Sequence, residues 1–113
     1  MEKLLEKLRA FRDARDWKPY HTPENLAKSI AIEAGELLEL FQWEAEANDI
    51  ERVKEELADI LNYCLLMIDH YQLDLESIIL EKIAKNERKY PIEKAKGNAT
   101  KYTQFRKDSD DES

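Results

Sequence analysis

The sequence is short of the residues that make turns, and this shortage bounds its fold. It has two glycines and three prolines among 113 residues, whereas Ala, Leu, Glu, Lys and Ile are abundant. The abundant residues are strong helix formers, and little material is left for turns. A chain of this length forms one domain with a single core. The composition therefore predicts an all-α protein.

Cysteine, long apolar runs and excess positive charge are also scarce or missing. Cys64 is the single cysteine, so no disulfide can form within this sequence. No apolar run reaches the length of a membrane span, and the start of the chain lacks a signal-peptide core. A net charge of −7 repels the phosphates of duplex DNA and anionic membranes. We therefore expect a cytoplasmic protein with neither a membrane nor a nucleic-acid polymer as partner, although bound metal ions would still admit a single nucleotide.

Apolar periodicity predicts four helices, and the first two are separated by a proline. The first helix covers 2–15, and Pro19 prevents a continuing helix through 16–21. Thr22 is a good N-cap and Pro23 suits the first helical position, so the second helix begins there and runs to about Phe41 or Trp43.

Side chains that cap helices also mark the last two helices. Asn48 or Asp49 caps the third, with Glu51 placed three residues after Asn48 as in a capping box. Asp74 caps the fourth, which Pro91 ends. Short loops predict an antiparallel four-helix bundle-like protomer, and apolar residues on several faces predict dimers or tetramers. We expect one domain over 1–104 and a flexible acidic tail over 105–113.

Two pairs of acidic residues stand at helical i, i+3 spacing: Glu33 with Glu36, and Glu56 with Asp59. Glu33 occupies an apolar row on the second helix, where a carboxylate is costly unless a positive group meets it. Two such pairs on adjacent helices would form a pocket of negative charge. The pattern predicts a site for a divalent cation whose ligands are Glu33, Glu36, Glu56 and Asp59.

Oxygen ligands alone favour a hard ion, so we expect Mg²⁺, with Mn²⁺ as a substitute. The carboxylate di-iron class is excluded because no histidine follows a glutamate by three residues. Glu39 and Glu55 are close enough in sequence to act as a general base or to support the ligands. We expect the base to be Glu36 or Glu39.

Aromatic and basic side chains flank these pairs and fit a nucleotide. Trp17 and His21 lie in a polar loop where burial in a core is less automatic, and a base stacks on such rings. Lys82, Asn86 and Lys89 share one face of the fourth helix, either as a solvated stripe or as donors to phosphate oxygens.

Longer motifs extend this picture. They are Arg-Asp-Trp at 15–17, His-Thr-Pro at 21–23, Glu-Ala-Gly-Glu-Leu-Leu-Glu-Leu-Phe-Gln-Trp at 33–43, Glu-Glu-Leu-Ala-Asp-Ile-Leu-Asn-Tyr at 55–63, Lys-Asn-Glu-Arg-Lys-Tyr-Pro at 85–91 and Lys-Tyr-Thr at 101–103. In this order they closely resemble the small MazG-like nucleotide pyrophosphohydrolases, and within them the dCTP pyrophosphatase branch.

The resemblance implies an all-α magnesium enzyme that hydrolyses a nucleoside triphosphate to the monophosphate and pyrophosphate, and that assembles into dimers or tetramers. It implies the same four magnesium ligands and phosphate contacts from Asn86 and its neighbouring lysines. It also implies a nucleotide pocket lined by Trp17, His21, Trp43 and Tyr63. Attack at the α-phosphorus is implied by the resemblance alone.

Two alternatives stay open at this point. One is a pyrophosphohydrolase of broader or different specificity, acting on dUTP or on triphosphates in general. The other is a non-enzymatic helical oligomerisation module, in which the acidic residues only fix the register between chains.

Overall fold

The computed structural model describes residues 1–46 and 48–97, and every element within them is helical. The α-helices are α1 (Glu2–Ala14), α2 (Pro23–Glu39), α3 (Ile50–His70), α4 (Leu75–Lys89) and α5 (Ile92–Ala95), with a 3-10 turn at Lys18–Tyr20. This confirms the predicted all-α class. None of these helices is both long enough and apolar enough to cross a bilayer. The predicted tail at 105–113 lies outside the described residues.

Three helix starts follow the predicted capping chemistry. The side chain of Thr22 accepts from the backbone N–H of Asn25 at 3.1 Å, with Pro23 in the first turn. Asp74 accepts from the N–H of Ser77 at 2.9 Å, and hydrogen bonding to Ser77 lowers the pKa of Asp74. Each cap satisfies a backbone N–H that has no partner inside its helix.

In the structure, Asp49 rather than Asn48 caps the third helix. Asp49 accepts from the N–H of Arg52 at 3.3 Å, whereas the amide of Asn48 donates to Glu44 at 2.6 Å. The predicted capping box from Asn48 to Glu51 is therefore wrong, because the Asn48 side chain is engaged within the preceding loop. The short helix α5 after Pro91 was also not predicted.

The chain divides into two compact units after Leu73. In the first unit, α2 packs along α3, and α1 contacts α3 to a smaller extent. His21 at the start of α2 faces Tyr63, while Glu33 further along faces the earlier residues Glu56 and Asp59. The two helices are therefore antiparallel. Leu26, Leu65 and Leu66 are the buried apolar residues of the described chain.

The second unit contains α4 and α5 within its described part. Ile79 and Ile83 of α4 are about half exposed, at 49% each, and Ile78 is partly buried. Asn86 accepts through its backbone carbonyl from the N–H of Tyr90 at 2.8 Å, which closes the last turn of α4. The arrangement of all four predicted helices as one bundle stays a prediction.

The apolar residues that recur at helical spacing along α3 predict its buried face, but that face is only partly buried; they are Val53, Leu57, Leu61, Cys64 and Ile68. Leu57 and Leu61 are 44% and 57% exposed, although both belong to the apolar row of that helix. The structure instead buries Glu56, Leu65 and Leu66 of this helix, and Glu56 lies on the side turned towards Glu33 of α2. Periodicity identifies an apolar face, but it does not identify which helix covers that face.

Gly35 lies within α2, where glycine costs stability relative to alanine unless another chain segment must approach the helix closely at this point. An added Cβ would meet nothing within 4 Å among the described residues, so no such approach is present there. Gly35→Ala should therefore raise the free energy of unfolding by about 0.5–1 kcal/mol, because alanine lowers the entropy of the unfolded chain.

Chemical denaturation of the metal-free protein measures this change. Gly97→Ala is the matched control and should give no gain, because Gly97 has φ +82°, where a side chain is strained. A loss of stability in Gly35→Ala would instead indicate that a second subunit packs against this position.

Candidate functional site

Carboxylates from two helices converge in the first unit. Glu33 of α2 and Glu56 and Asp59 of α3 each offer one oxygen, and these oxygens lie within 4.8 Å of one another. Glu56 is buried, Glu33 is partly buried and Asp59 is exposed. The antiparallel packing of α2 on α3 brings together side chains that are more than twenty residues apart in sequence. We call Glu33, Glu56 and Asp59 the carboxylate cluster.

Glu56 is the buried carboxylate of the cluster, and only one of its two oxygens is paired among the described residues. It is 6% exposed, and its Oε1 is buried without a hydrogen-bond partner among the described residues. Its other oxygen, Oε2, accepts from Arg52 Nη2 at a long 3.4 Å. A buried carboxylate oxygen without a donor is costly, and a metal ion removes that cost. The residues present therefore fit a hard cation.

Negatively charged side chains lie close together around Glu33. Burial raises the pKa of Glu33 to about 7, and hydrogen bonding and repulsion from Glu36 and Asp59 add to the rise. Near neutral pH, the carboxylates of this region therefore do not all ionise freely without a cation. A bound divalent ion would favour the ionised forms, so metal affinity should increase as the pH rises.

The raised pKa of Glu33 gives a prediction for the metal-free protein. Between the unfolded value near 4.5 and the folded value of about 7, the folded state binds more protons than the unfolded state. The contribution of Glu33 to stability is therefore present below pH 4.5 and is lost as the pH rises through 7. In Glu33→Gln this loss should disappear, so the variant gains stability over wild type at pH 8 and not at pH 4.

Urea denaturation in EDTA at several pH values measures this difference. Glu24→Gln, an exposed change in the first turn of α2, is the control and should leave the slope between pH 4.5 and 7 unchanged. Parallel stability curves for wild type and Glu33→Gln would contradict the assignment of this slope to Glu33.

The other predicted carboxylates lie at different distances from the cluster. Glu36 is partly buried and lies within hydrogen-bonding reach of Glu33. Glu39 is the exposed last residue of α2, and Glu55 is exposed on α3. The structure thus brings Glu33, Glu56 and Asp59 together with Glu36 beside them. The metal-ligating and catalytic roles stay predictions.

A cavity of about 280 Å³ begins beside the cluster, because Asp59 is also part of its wall. Three of the predicted nucleotide-binding residues, Trp17, His21 and Tyr63, line it. The rings of Phe11, Trp17, His21 and Tyr63 follow one another edge to face, with centroids 5.7, 6.5 and 6.5 Å apart. Small-molecule pockets begin at about 300 Å³, so the space suits a nucleoside rather than a whole triphosphate.

Arg12 was not predicted, and it forms a rigid part of this wall. It is 6% exposed, and its guanidinium donates to Asp13 at 2.8 and 3.2 Å and pairs with Asp69 at 3.5 Å. Asp69 in turn accepts from Arg9 at 2.7 and 2.9 Å, and these bonds lower the pKa of Asp69. The charged pairs hold α1 against α3 beside the cavity.

The environment of His21 disfavours the charged form of its imidazole. Burial lowers its pKa, and the charge of Arg12 lowers it further. Its Nδ1 is buried without a hydrogen-bond partner among the described residues. A neutral ring with an unpaired nitrogen stacks against a base or accepts a hydrogen bond without the cost of a buried charge.

Four further predicted residues do not line the cavity. Trp43, beyond the end of α2, is 86% exposed. Lys82, Asn86 and Lys89 lie on α4 in the second unit, where Lys82 is exposed and the other two are partly buried. Their roles at a nucleotide site stay predictions.

The cavity also contains residues that the motifs did not single out: Leu8, Phe11, Asn62 and Leu66. The i, i+3 spacing of Leu8 and Phe11 predicted only a core face for α1. Asn62 had a readable signal, because it interrupts the apolar run from Ile60 to Ile68. A lone amide in such a run requires either a partner or a function.

The described helices pack so that a carboxylate cluster adjoins an aromatic cavity, an arrangement that can hold a hard cation beside a planar ligand. Residues 28–105 match the MazG-like family. That match covers more than half of the sequence, so the chain belongs to the MazG-like family. The predicted resemblance is confirmed.

Individual relatives point the same way. The chain is 34% identical to rat dCTP pyrophosphatase 1 over an alignment 115 residues long, gaps included. The alignment covers 90% of this chain and 68% of the rat protein. It is 34% identical to human dCTP pyrophosphatase 1, over 92% of this chain and 69% of the human protein. A crystal structure of a pyrophosphatase from Archaeoglobus fulgidus is 48% identical, with a TM-score of 0.73, over 80% of this chain and 92% of that one. The predicted class, a nucleoside triphosphate pyrophosphohydrolase, is confirmed by these relatives.

Proposed function

We propose that the protein hydrolyses dCTP, or a base-modified dCTP, to the monophosphate and pyrophosphate, with Mg²⁺ as cofactor and Mn²⁺ as a possible substitute. The observation that carries the proposal is the shared position of Asp59, which belongs to the carboxylate cluster and to the wall of the aromatic cavity. A nucleotide whose base and sugar occupy the cavity would have its phosphates at the carboxylates. The names of the rat and human relatives support dCTP as the substrate.

The aromatic wall would bind and orient the nucleoside. Trp17, His21 and Tyr63 line the cavity, and a base stacked on the face of such a ring would gain about 1–3 kcal/mol. Arg12 and its carboxylate partners keep this wall in place. Fixing the base in this way would hold the phosphates in one position relative to the cluster, which is how binding lowers the entropic part of a reaction barrier.

The carboxylate cluster would hold the cofactor. Glu33, Glu56 and Asp59, with Glu36 as the fourth predicted ligand, supply only oxygen atoms, which magnesium prefers. When bound, the cation neutralises phosphate oxygens and makes water easier to deprotonate near neutral pH. The buried, unpaired Oε1 of Glu56 supports a cation at this position.

The reaction itself requires one proton transfer by the protein. Water attacks the α-phosphorus, the bond from that phosphorus to the oxygen bridging the β-phosphate breaks, and pyrophosphate leaves with the bonding electrons. Glu36 or Glu39 would accept the proton from the attacking water. Glu36 is supported by its place beside Glu33. Lys82, Asn86 and Lys89, on one face of α4, would donate to phosphate oxygens.

A panel of nucleotides tests the proposal. The common deoxy- and ribonucleoside triphosphates and 5-substituted dCTPs would be incubated with magnesium, and pyrophosphate and phosphate would be measured separately. We expect pyrophosphate without free phosphate, and the highest kcat/KM for dCTP or a modified dCTP. Equal rates for all bases, or a preference for dUTP, would replace dCTP by the broader alternative. Absence of pyrophosphate from every nucleotide would favour the oligomerisation module.

The proposal also covers the assembly state of the protein and its location in the cell. Leu57 and Leu61 expose a large part of their side chains on one face of α3, which supports contact with another subunit. We propose a homodimer or homotetramer, which sedimentation measures directly. A cytoplasmic location is supported by the substrate, since nucleoside triphosphates are made and used there.

A further inference from the structure

Asn62 is the polar side chain that the proposed reaction leaves without a role. It lies on α3 in the wall of the 280 Å³ cavity, three residues after Asp59, and Asp59 also belongs to the carboxylate cluster. Three residues of helix correspond to a rise of about 4.5 Å, so Asn62 lies one step farther from the cluster along the same cavity. Groups at this depth would meet the base rather than the phosphates.

The surroundings of Asn62 leave room for a ligand beside its side chain. Leu8 and Phe11 of α1 line the same cavity, and both also line a second cavity of about 260 Å³ in which Asn62 takes part. Asn62 therefore lines both cavities. It is partly buried, and among residues 1–46 and 48–97 it forms no hydrogen bond through its side chain.

The chemistry of the amide defines what it can recognise. Asparagine offers one acceptor, Oδ1, and one donor, Nδ2, side by side. A cytosine presents the complementary pair, with its 4-amino group as donor and ring N3 as acceptor. Among the other polar groups of this wall, the buried Nδ1 of His21 also has no partner among the described residues, but a single ring nitrogen does not present a donor and an acceptor side by side. Arg12 is engaged with Asp13 and Asp69, and its guanidinium offers donors only.

We propose that the side-chain amide of Asn62 is a specificity-determining group that pairs with the 4-amino and N3 edge of a cytosine held in the aromatic cavity. The inference rests on the proposed function for the identity of the base. It adds a directional contact to the stacking provided by Trp17, His21 and Tyr63, which tolerate any base. Stacking would supply affinity, and Asn62 would supply discrimination.

A binding experiment separates this contact from catalysis. The full chain would be titrated in EDTA with dCMP and with the corresponding 2-pyrimidinone deoxynucleotide, which lacks the 4-amino group, and NMR would give both dissociation constants. We expect wild type to bind dCMP on the order of tenfold more tightly than the analogue. In Asn62→Leu, both nucleotides lose the donor to ring N3, but dCMP also loses the acceptor for its 4-amino group and should weaken by about tenfold more than the analogue. The preference should therefore disappear, because the variant no longer distinguishes the 4-amino group.

A control variant and four contrary outcomes complete this experiment. Asn48→Leu removes an exposed amide from a loop and should keep the wild-type preference. Circular dichroism and sedimentation would establish that Asn62→Leu retains its helices and its assembly state. An equal loss for both nucleotides, an unchanged preference in Asn62→Leu, no preference in wild type or no binding of dCMP would each overturn the proposal.

The same variant tells the two proposals apart. If wild type releases pyrophosphate from dCTP while Asn62→Leu keeps the preference for dCMP, the proposed function stands and the role of Asn62 is wrong. If no triphosphate is hydrolysed but the dCMP preference disappears in Asn62→Leu, the role of Asn62 stands and the proposed reaction is wrong.

Discussion

Asp59→Asn should lose nearly all pyrophosphate release from dCTP while keeping the helical structure of the protein. An oxygen of Asp59 lies within 4.8 Å of oxygens of Glu33 and Glu56, and Asp59 also borders the aromatic cavity, so in the proposed site its carboxylate would lie between the cation and the nucleotide. Changing groups that merely support metal ligands costs 10–100-fold in activity, so loss of a ligand should cost about 100-fold or more. The same loss of turnover is expected for Glu36→Gln.

Steady-state kinetics at saturating magnesium measure the effect, and circular dichroism measures the fold. Helicity should be retained because removing one negative charge relieves repulsion within the cluster. Glu51→Gln on the same helix is the control, since Glu51 is exposed and pairs with Lys54. Wild-type turnover in both Asp59→Asn and Glu36→Gln would contradict the assignment of the site.

Magnesium should raise the thermal stability of the wild-type protein, and EDTA should abolish its turnover. A ligand that binds only the folded state stabilises it by about 2.7 kcal/mol when present at a hundred times its dissociation constant. Glu56→Gln should lose this stabilisation together with the activity. Glu56 contributes the buried Oε1 that has no partner among the described residues, and an amide is a much poorer ligand for a hard cation.

Differential scanning fluorimetry with magnesium, manganese and calcium measures this dependence, and pyrophosphate release with each ion provides the second readout. Glu51→Gln again serves as control and should retain the full shift in melting temperature. A shift of equal size in wild type and Glu56→Gln would place the cation elsewhere on the protein. Full activity in EDTA would exclude a dissociable divalent cofactor.

The local features of the fold could be predicted well from the sequence. Thr22 and Asp74 cap their helices through side-chain oxygens that reach a backbone N–H only three residues away, and this chemistry depends on short-range geometry alone. Pro19 interrupts the chain between α1 and α2 for an equally local reason. The choice between Asn48 and Asp49 as the cap of α3 stayed open in the sequence, and in the structure Asp49 is the cap while Asn48 donates to Glu44.

The candidate site could be predicted only in part. The i, i+3 spacing placed Glu56 and Asp59 on one side of α3, but it gave no register between α3 and α2. Arg12 was missed because a charged residue on an amphipathic helix is usually solvated, and only the approach of Asp69 explains its burial. Asn62 could have been noticed as a break in an apolar run, although its neighbours on α1 were unknown.

The sequence by itself determined the four longer helices, the caps at Thr22 and Asp74 and the acidic pairs, because each of these depends on residues within about two helical turns of one another. The tertiary structure decided which carboxylates meet, which side of α3 is buried and which residues enclose the cavity. Those outcomes depend on the register and direction in which α1 and α2 pack on α3, and small changes of register would pair different side chains. The scarcity of glycine and proline thus fixed the kind of element, whereas packing between helices created the site.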